Sequence, residues 1–331
     1  MKNSAQGWRA LVTGAGGFIG SHLTEQLLAE GASVRAFVRY TSRGTAGWLD
    51  TVATESVDQL EIVYGDLRNP DAVGRAVSGC THVFHLGALI AIPYSYQNPR
   101  EFVDVNVSGT QNVLEAVLAH QPERAIFIST SEVFGSAQYV PMSEAHPKVA
   151  QSPYAATKVA ADALVISYHR SFGLPTVIAR PFNTYGPRQS LRAIVPAIIA
   201  QALGGGPLRL GSLTPTRDFN YVSDTVLGII ACARSSRAEG QEFNLGTGKE
   251  IAIGELAQRI CDMVGVPCQI ETDERRLRPG PSEVVRLCAD SGKARDILGW
   301  SPQVPLDSGL KRTRDWLMSQ NQDRWVKELQ L

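Results

Sequence analysis

Three groups of residues in this chain have the types and spacing of working chemistry. Tyr154 and Lys158 stand four apart in Tyr154-Ala155-Ala156-Thr157-Lys158, at the start of a helical pattern. That spacing puts both side chains on one face, one turn apart. A tyrosine so placed is a candidate base for a sugar or alcohol hydroxyl. Ionising a free tyrosine at pH 7 costs about 4 kcal/mol, and a nearby ammonium lowers that cost. The second group is Thr13-Gly14-Ala15-Gly16-Gly17-Phe18-Ile19-Gly20, between an apolar strand pattern and a helical one. Glycines at Gly14, Gly17 and Gly20 allow a sharp turn, close approach to a pyrophosphate and tight helix–strand packing. Free N–H groups at the helix start, with its dipole, hold the anion. The third group is Thr130-Ser131-Glu132, at the end of another apolar run. Thr130 is placed to hydrogen-bond the hydroxyl that Tyr154 would deprotonate. Glu132 is either a loop or cap carboxylate or a second base, and simple alcohol oxidation requires no second base.

Positioning these groups requires a sheet. Near-continuous apolar runs predict strands over 10–12, 33–38, 60–64, 82–86, 125–129 and 176–179, with helices over 21–30, 71–77, 99–120 and 154–172. This alternation predicts an α/β fold: a Rossmann-like, doubly wound parallel sheet over residues 1–180. Beyond Arg180, Pro181, Pro187, Pro196, Pro215 and the Gly204-Gly205-Gly206-Pro207 run break the rhythm. Helices are expected over 223–233, 253–264 and 306–319, a strand over 242–245 and an Arg/Pro-rich loop over 275–281. Residues 181–331 then form a smaller C-terminal α/β lid that binds substrate, with a strand and helix near 218–246 returning to the large domain.

The 331 residues carry 32 basic and 32 acidic side chains. No global field therefore favours nucleic acid or an anionic membrane, and an anion site must be built locally. A membrane span and a secretory leader are not expected. Cys80, Cys232, Cys261, Cys268 and Cys288 are scattered without metal-ligand spacing, which fits reduced thiols in a cytoplasmic protein without a metal.

Taken with Gly65-Asp66-Leu67-Arg68, His85-Leu86-Gly87-Ala88, Asn106 and Arg180-Pro181-Phe182-Asn183-Thr184-Tyr185-Gly186-Pro187-Arg188, these groups resemble the NAD-dependent epimerase/dehydratase family of extended short-chain dehydrogenases/reductases. Stretches 88–96 and 212–221 resemble its legionaminic-acid branch, whose members are 4,6-dehydratases of nucleotide-linked N-acetylglucosamine. The resemblance implies a dinucleotide held by Gly14, Gly16, Gly17, Phe18, Ile19, Gly20, Leu67, Leu86, Gly87, Ala88, Asn106 and Lys158, with Asp66 on the adenine. It implies a nucleotide-sugar diphosphate touched by Asn183 and clamped by Arg217 and Arg278, with Tyr185 and Arg188 near the same site. It also implies a homodimer built on helices 103–120 and 154–172. Val105, Val113, Leu114, Val117 and Leu118 offer apolar surface for that pairing, unless both helix faces are buried internally.

The implied reaction is an internal redox. Tyr154 takes the 4-hydroxyl proton as hydride leaves C4 for the nicotinamide. Glu132 takes the acidified C5 proton, water leaves from C6, and the hydride comes back at C6. Many such dehydratases carry an Asp before the Glu; this chain has Ser131, a poor proton donor. A 4-epimerase, a UDP-glucuronate decarboxylase and a non-catalytic dinucleotide sensor are the competing functions. At the end of the second strand NAD users usually place an acid. Here stand Val38 and Arg39, with Arg43 close behind, which favours a 2′-phosphate and NADP over NAD.

Overall fold

The computed structural model describes residues 4–42, 44–52 and 58–320. Arg43, offered above for the cofactor, lies outside them. β1 (Arg9–Thr13) leads into α1 (Phe18–Ala29), then β2 (Ser33–Val38), β3 (Leu60–Tyr64), α2 (Pro70–Val77) and β4 (His82–His85). Two short helices follow, α3 (Ile92–Gln97) and α4 (Pro99–Phe102), then a π-helical turn at Val103–Ser108 and α5 (Gly109–His120). β5 (Arg124–Ile128), α6 (Pro153–Phe172) and β6 (Thr176–Pro181) come next. The later chain adds β7 (Asn183–Tyr185), α7 (Ile194–Leu203), β8 (Leu208–Leu210), β9 (Thr216–Tyr221), α8 (Val222–Arg234) and β10 (Glu242–Leu245). It ends with β11 (Glu250–Ala252), α9 (Ile253–Val264), β12 (Ile270–Thr272) and α10 (Leu306–Ser319).

Seven strands form one sheet in the order β10-β6-β5-β4-β1-β2-β3, and every pair in it is parallel. Strand period two sends alternate residues to opposite faces, and both faces are buried. Ala10, Val12, Val34, Ala36, Phe84, Ile126 and Val177 join one core with α1 and α8. Leu11, Phe37, Val83, Ala125, Phe127 and Ile178 join the other with α2, α5 and α6. This is the doubly wound α/β class expected. The chain reverses direction across the sheet between β1 and β4, and ligands of such sheets bind at that crevice. β11-β9-β7 form a three-stranded sheet and β12-β8 a parallel pair.

Besides α3 and the strands β7, β8, β9, β11 and β12, not expected from the sequence, two elements differ from expectation. The helix expected over 99–120 is interrupted by the π-helical turn, which carries Asn106. The stretch expected to be broken by proline holds α7, because Pro196 sits in its first turn, where a missing N–H costs nothing. Val113, Leu114 and Val117, offered above as surface for pairing, are buried within this chain. Among the described residues, no helix is long and apolar enough to cross a membrane.

A buried ionic cluster fixes α6 against the sheet. Arg180 of β6 is fully buried. Its Nη2 donates to Asp162 Oδ2 of α6 at 2.8 Å and to Glu242 of β10, and its Nη1 to Asn244 at 3.3 Å. Ser129 Oγ, just past β5, donates to the same Asp162 oxygen at 2.9 Å, and Lys148 Nζ reaches Glu242 at 2.9 Å. Breaking a buried pair strands a charge, so Asp162→Ala is expected to cost about 3–5 kcal/mol, read as a lower denaturation midpoint.

Two buried imidazoles make stability depend on acid. Burial, with Arg124 adding, pushes His82 down to about 4, and its ring stacks on Trp8 with centroids 3.8 Å apart. Burial, with Lys158 adding, pushes His85 down to about 3. Below about pH 6.5 the unfolded chain takes up protons that the folded one refuses. Stability should therefore be full above that pH and fall on acidification by about 1.4 kcal/mol per unit for each imidazole. Urea unfolding measured between about pH 6.5 and 4.5 checks this. His82→Phe, which keeps an aromatic ring on Trp8, should remove its share of the slope and leave those of His85 and of His22, which burial also lowers.

Candidate active site

The glycine loop and the loop after β4 meet at the crevice between β1 and β4. A Cβ on Gly14, whose φ is +69°, would lie 2.9 Å from Gly87 Cα. A Cβ on Gly87 would lie 2.7 Å from Leu67 Cδ1, so bare backbone lines the floor. Gly17 precedes α1 without a side-chain cap. The first N–H groups of α1, from Phe18 through Gly20, are therefore free to take an anion. An uncapped helix start beside a floor of bare backbone fits a dinucleotide pyrophosphate.

Thr13 organises this crevice. Its Oγ1 accepts from the N–H groups of Leu86 at 3.1 Å and Gly87 at 3.0 Å, so its proton goes to His85 Nδ1 at 2.9 Å. His85 Nε2–H then donates to Thr110 Oγ1 at 3.1 Å, and Thr110 to the Asn106 carbonyl at 2.6 Å. The Asn106 side chain is fully occupied by protein: Oδ1 accepts from Leu89 N at 2.8 Å, and Nδ2 donates to Leu89 O and to Thr157 Oγ1. It thus joins the segment just beyond Ala88 to the helix that carries Tyr154. Arg39 is exposed at the end of β2. Asp66, one strand over, accepts from Arg68 Nε at 2.9 Å. Bonding to Arg68 holds its carboxyl below the usual range, and the charge of Arg39 adds to this.

Thr130 leaves β5 in extended conformation and caps a 3₁₀ turn at Ser131–Phe134, accepting from Glu132 N at 3.3 Å. Ser152 caps α6, with Pro153 at its first position, where no N–H is needed, so Tyr154 emerges in the first turn. Tyr154 and Lys158 are both buried. Burial raises the Tyr154 phenol well above its ordinary pKa; the charges of Glu132 and Asp162 add, and a hydrogen bond with Thr130 opposes. Burial lowers Lys158, Asp162 raises it and Arg180 lowers it. Its ammonium donates to Ile128 O at 2.6 Å. Tyr154, Lys158 and Asp162 follow one another at four-residue steps along α6. Asp162 went unremarked in the sequence, although its spacing from Lys158 was visible there.

On the opposite side, Arg278 Nη1 lies 3.5 Å from Glu132 Oε2. Arg217, on β9, is buried and its Nη2 lies 3.4 Å from Glu283 Oε1. Burial lowers Arg217, while Glu132 and Glu283 raise it and Arg278 lowers it, so all four charges share one site. Next to Arg217, Asp218 accepts from the N–H groups of Thr247, Gly248 and Ala289, which pins β9. Asn183 presents a buried Oδ1 without a protein partner. Arg188, offered above for substrate, is committed elsewhere: its fork meets both oxygens of Glu25 on α1 at 2.7 Å. Ser131 is buried beside Glu132. Among the described residues, no group of three His, Cys, Asp or Glu side chains is placed to hold a metal ion.

The family model described as GDP-mannose 4,6 dehydratase matches residues 11–313. The chain is 35% identical to UDP-glucose 4-epimerase of Mycolicibacterium smegmatis, over 95% of this chain and 100% of that protein. It is 33% identical to dTDP-glucose 4,6-dehydratase of Streptomyces antibioticus, over 92% of this chain and 91% of that one. Among solved structures, a double mutant of dTDP-glucose 4,6-dehydratase from Streptomyces venezuelae with NAD bound superposes with a TM-score of 0.87 at 31% identity, covering 97% of this chain and 99% of that one. The chain therefore belongs to the extended short-chain dehydrogenase/reductase family of nucleotide-sugar 4,6-dehydratases and 4-epimerases, a family of enzymes.

Proposed function

We propose that this enzyme is an NAD(P)-dependent 4,6-dehydratase of a UDP- or GDP-linked N-acetylglucosamine, yielding a 4-keto-6-deoxy sugar. The observation that carries this reading is Glu132, a buried carboxylate whose charge reaches the Tyr154 phenol. A 4-epimerase has no use for a base at C5. Oxidation at C4 followed by elimination across C5 and C6 needs one. The competing reading, 4-epimerisation, draws its support from the relative in Mycolicibacterium smegmatis.

A bound nicotinamide dinucleotide would supply a reversible hydride acceptor. The N-terminus of α1 and the Gly14–Gly87 floor would hold its pyrophosphate. Tyr154, bonded to Thr130, takes the proton of the C4 hydroxyl. Lys158 supplies positive charge one turn along the same face. Once C4 is a ketone, the neighbouring C5 hydrogen is acidic and Glu132 removes it. Arg217 and Arg278 hold the diphosphate in place, each presenting a planar fork to phosphate oxygens. The working unit is a homodimer in this reading, with the exposed Val103 and Phe172 left for a second copy. NADP is favoured over NAD because Arg39 stands where an acid would exclude a 2′-phosphate.

Incubation with UDP- and GDP-N-acetylglucosamine, with product mass as readout, should give loss of one water. Unchanged mass with inverted C4 would establish epimerisation instead. Cofactor reduction by substrate should speed up from about pH 6 to about pH 9, since the Tyr154 phenol is held protonated at neutrality. Tyr154→Phe should abolish turnover. Glu132→Gln should stop water loss yet leave cofactor reduction by substrate intact; normal dehydration by that variant would remove Glu132 from the mechanism. Titration calorimetry should find NADP bound about tenfold tighter than NAD, a difference that Arg39→Ala erases.

A further inference from the structure

Elimination across C5 and C6 asks for two proton-handling groups. One removes the C5 proton; the other must protonate the C6 oxygen, because hydroxide is a poor leaving group. Ser131, next to Glu132, is buried and its hydroxyl is a weak acid. A second carboxylate reaches the same cluster from the other side. Glu283 Oε1 lies 3.4 Å from Arg217 Nη2, and Arg217 also feels the charges of Glu132 and Arg278. The Glu283 side chain is 22% exposed against 11% for Glu132, so Glu283 has the easier exchange with solvent.

The backbone around Glu283 is tied to both segments that carry the reacting groups. Gln151, just before Tyr154 in the chain, donates from Nε2 to the carbonyls of Pro281 and Glu283 at 3.1 Å each. Ser282 Oγ donates to the Gln151 carbonyl and meets the Tyr96 hydroxyl at 2.6 Å. Ser136, just after the Glu132 turn, accepts from Val285 N at 3.0 Å. Glu283 is thereby held in register with Glu132 and Tyr154 at once.

We propose that Glu283 is the acid of the elimination; this rests on the dehydratase reading. The Glu132 carboxylate takes the C5 proton, and the electron pair of that C–H bond forms the C5–C6 double bond. The C6–O bond breaks, and the oxygen leaves as water with the proton of the Glu283 carboxylic acid. Glu132 later returns its proton to C5 as C6 is reduced. The proton that Tyr154 took from the C4 hydroxyl passes to solvent, from which Glu283 reloads, so the hydrogens of the departing water are accounted for.

The test uses the full chain with UDP-N-acetylglucosamine and its 6-deoxy-6-fluoro analogue, since fluoride departs without a proton. Glu283→Gln should slow water loss at least about 100-fold, keep fluoride release within about threefold of wild type, and leave cofactor reduction by either substrate intact. Glu283→Asp should retain part of the water loss. Equal losses on both substrates would make Glu283 merely a counter-ion of Arg217, and undiminished water loss would remove it from the reaction; either overturns the proposal alone. A wild-type protein that releases neither water nor fluoride from these substrates or from their GDP-linked counterparts overturns the dehydratase reading and this proposal with it.

Discussion

One buried guanidinium holds the working parts of this enzyme in register. Arg180 sits on β6 with no exposure; its Nη1 and Nη2 donate to Asp162 of α6 and to Glu242 and Asn244 of β10, while its buried Nε has no protein partner. Desolvating so many charges is expensive, and their mutual attraction offsets the cost only when the partners are in place. The cluster therefore favours one arrangement of α6 on the sheet. The same helix carries Tyr154 and Lys158, and Ser129, bonded to Asp162, stands directly before Thr130. The placement of the phenol opposite Thr130 follows from a buried charge on β6.

The second organising feature is charge neutrality within the cleft. Arg217 faces Glu283 and Arg278 faces Glu132, so neither guanidinium stands alone in a partly dry site. An anion entering this cleft would exchange one set of anionic partners for another.

Much of the sheet is legible in the sequence because its strands are covered on both faces. Runs such as 33–38 are largely apolar, and the strands observed at 33–38 and 242–245 coincide with the expected ones residue for residue. The helices at Ile253–Val264 and Leu306–Ser319 are equally plain from their periodicity. Other features leave no local trace. The π-helical turn at Val103–Ser108 carries Asn106, whose bonds to Leu89 and Thr157 are long-range and leave no mark on local propensity. α7 hides because a proline in a first turn looks the same in sequence as one that breaks a helix. The commitment of Arg188 to Glu25, and of Gln151 to Pro281 and Glu283, joins residues more than a hundred positions apart, which no spacing rule reaches. Residues on neighbouring elements, such as Thr130 and Tyr154, stand out by spacing alone; Arg217 and Arg278 stand out only through the family resemblance, and Glu283 and Asp162 not at all.

The place of β10 in the sheet has a consequence for how the chain is made. β10 pairs with β6 at the edge, yet it is synthesised only after β7, α7, β9 and α8. Until it emerges from the ribosome, β6 is an open strand edge, and Lys148 and Arg180 lack their Glu242 partner. A nascent chain therefore has no finished N-terminal unit to set aside while the rest is translated. Closure of the sheet waits on a long-range pairing, the kind of step that slows folding and lengthens exposure to aggregation.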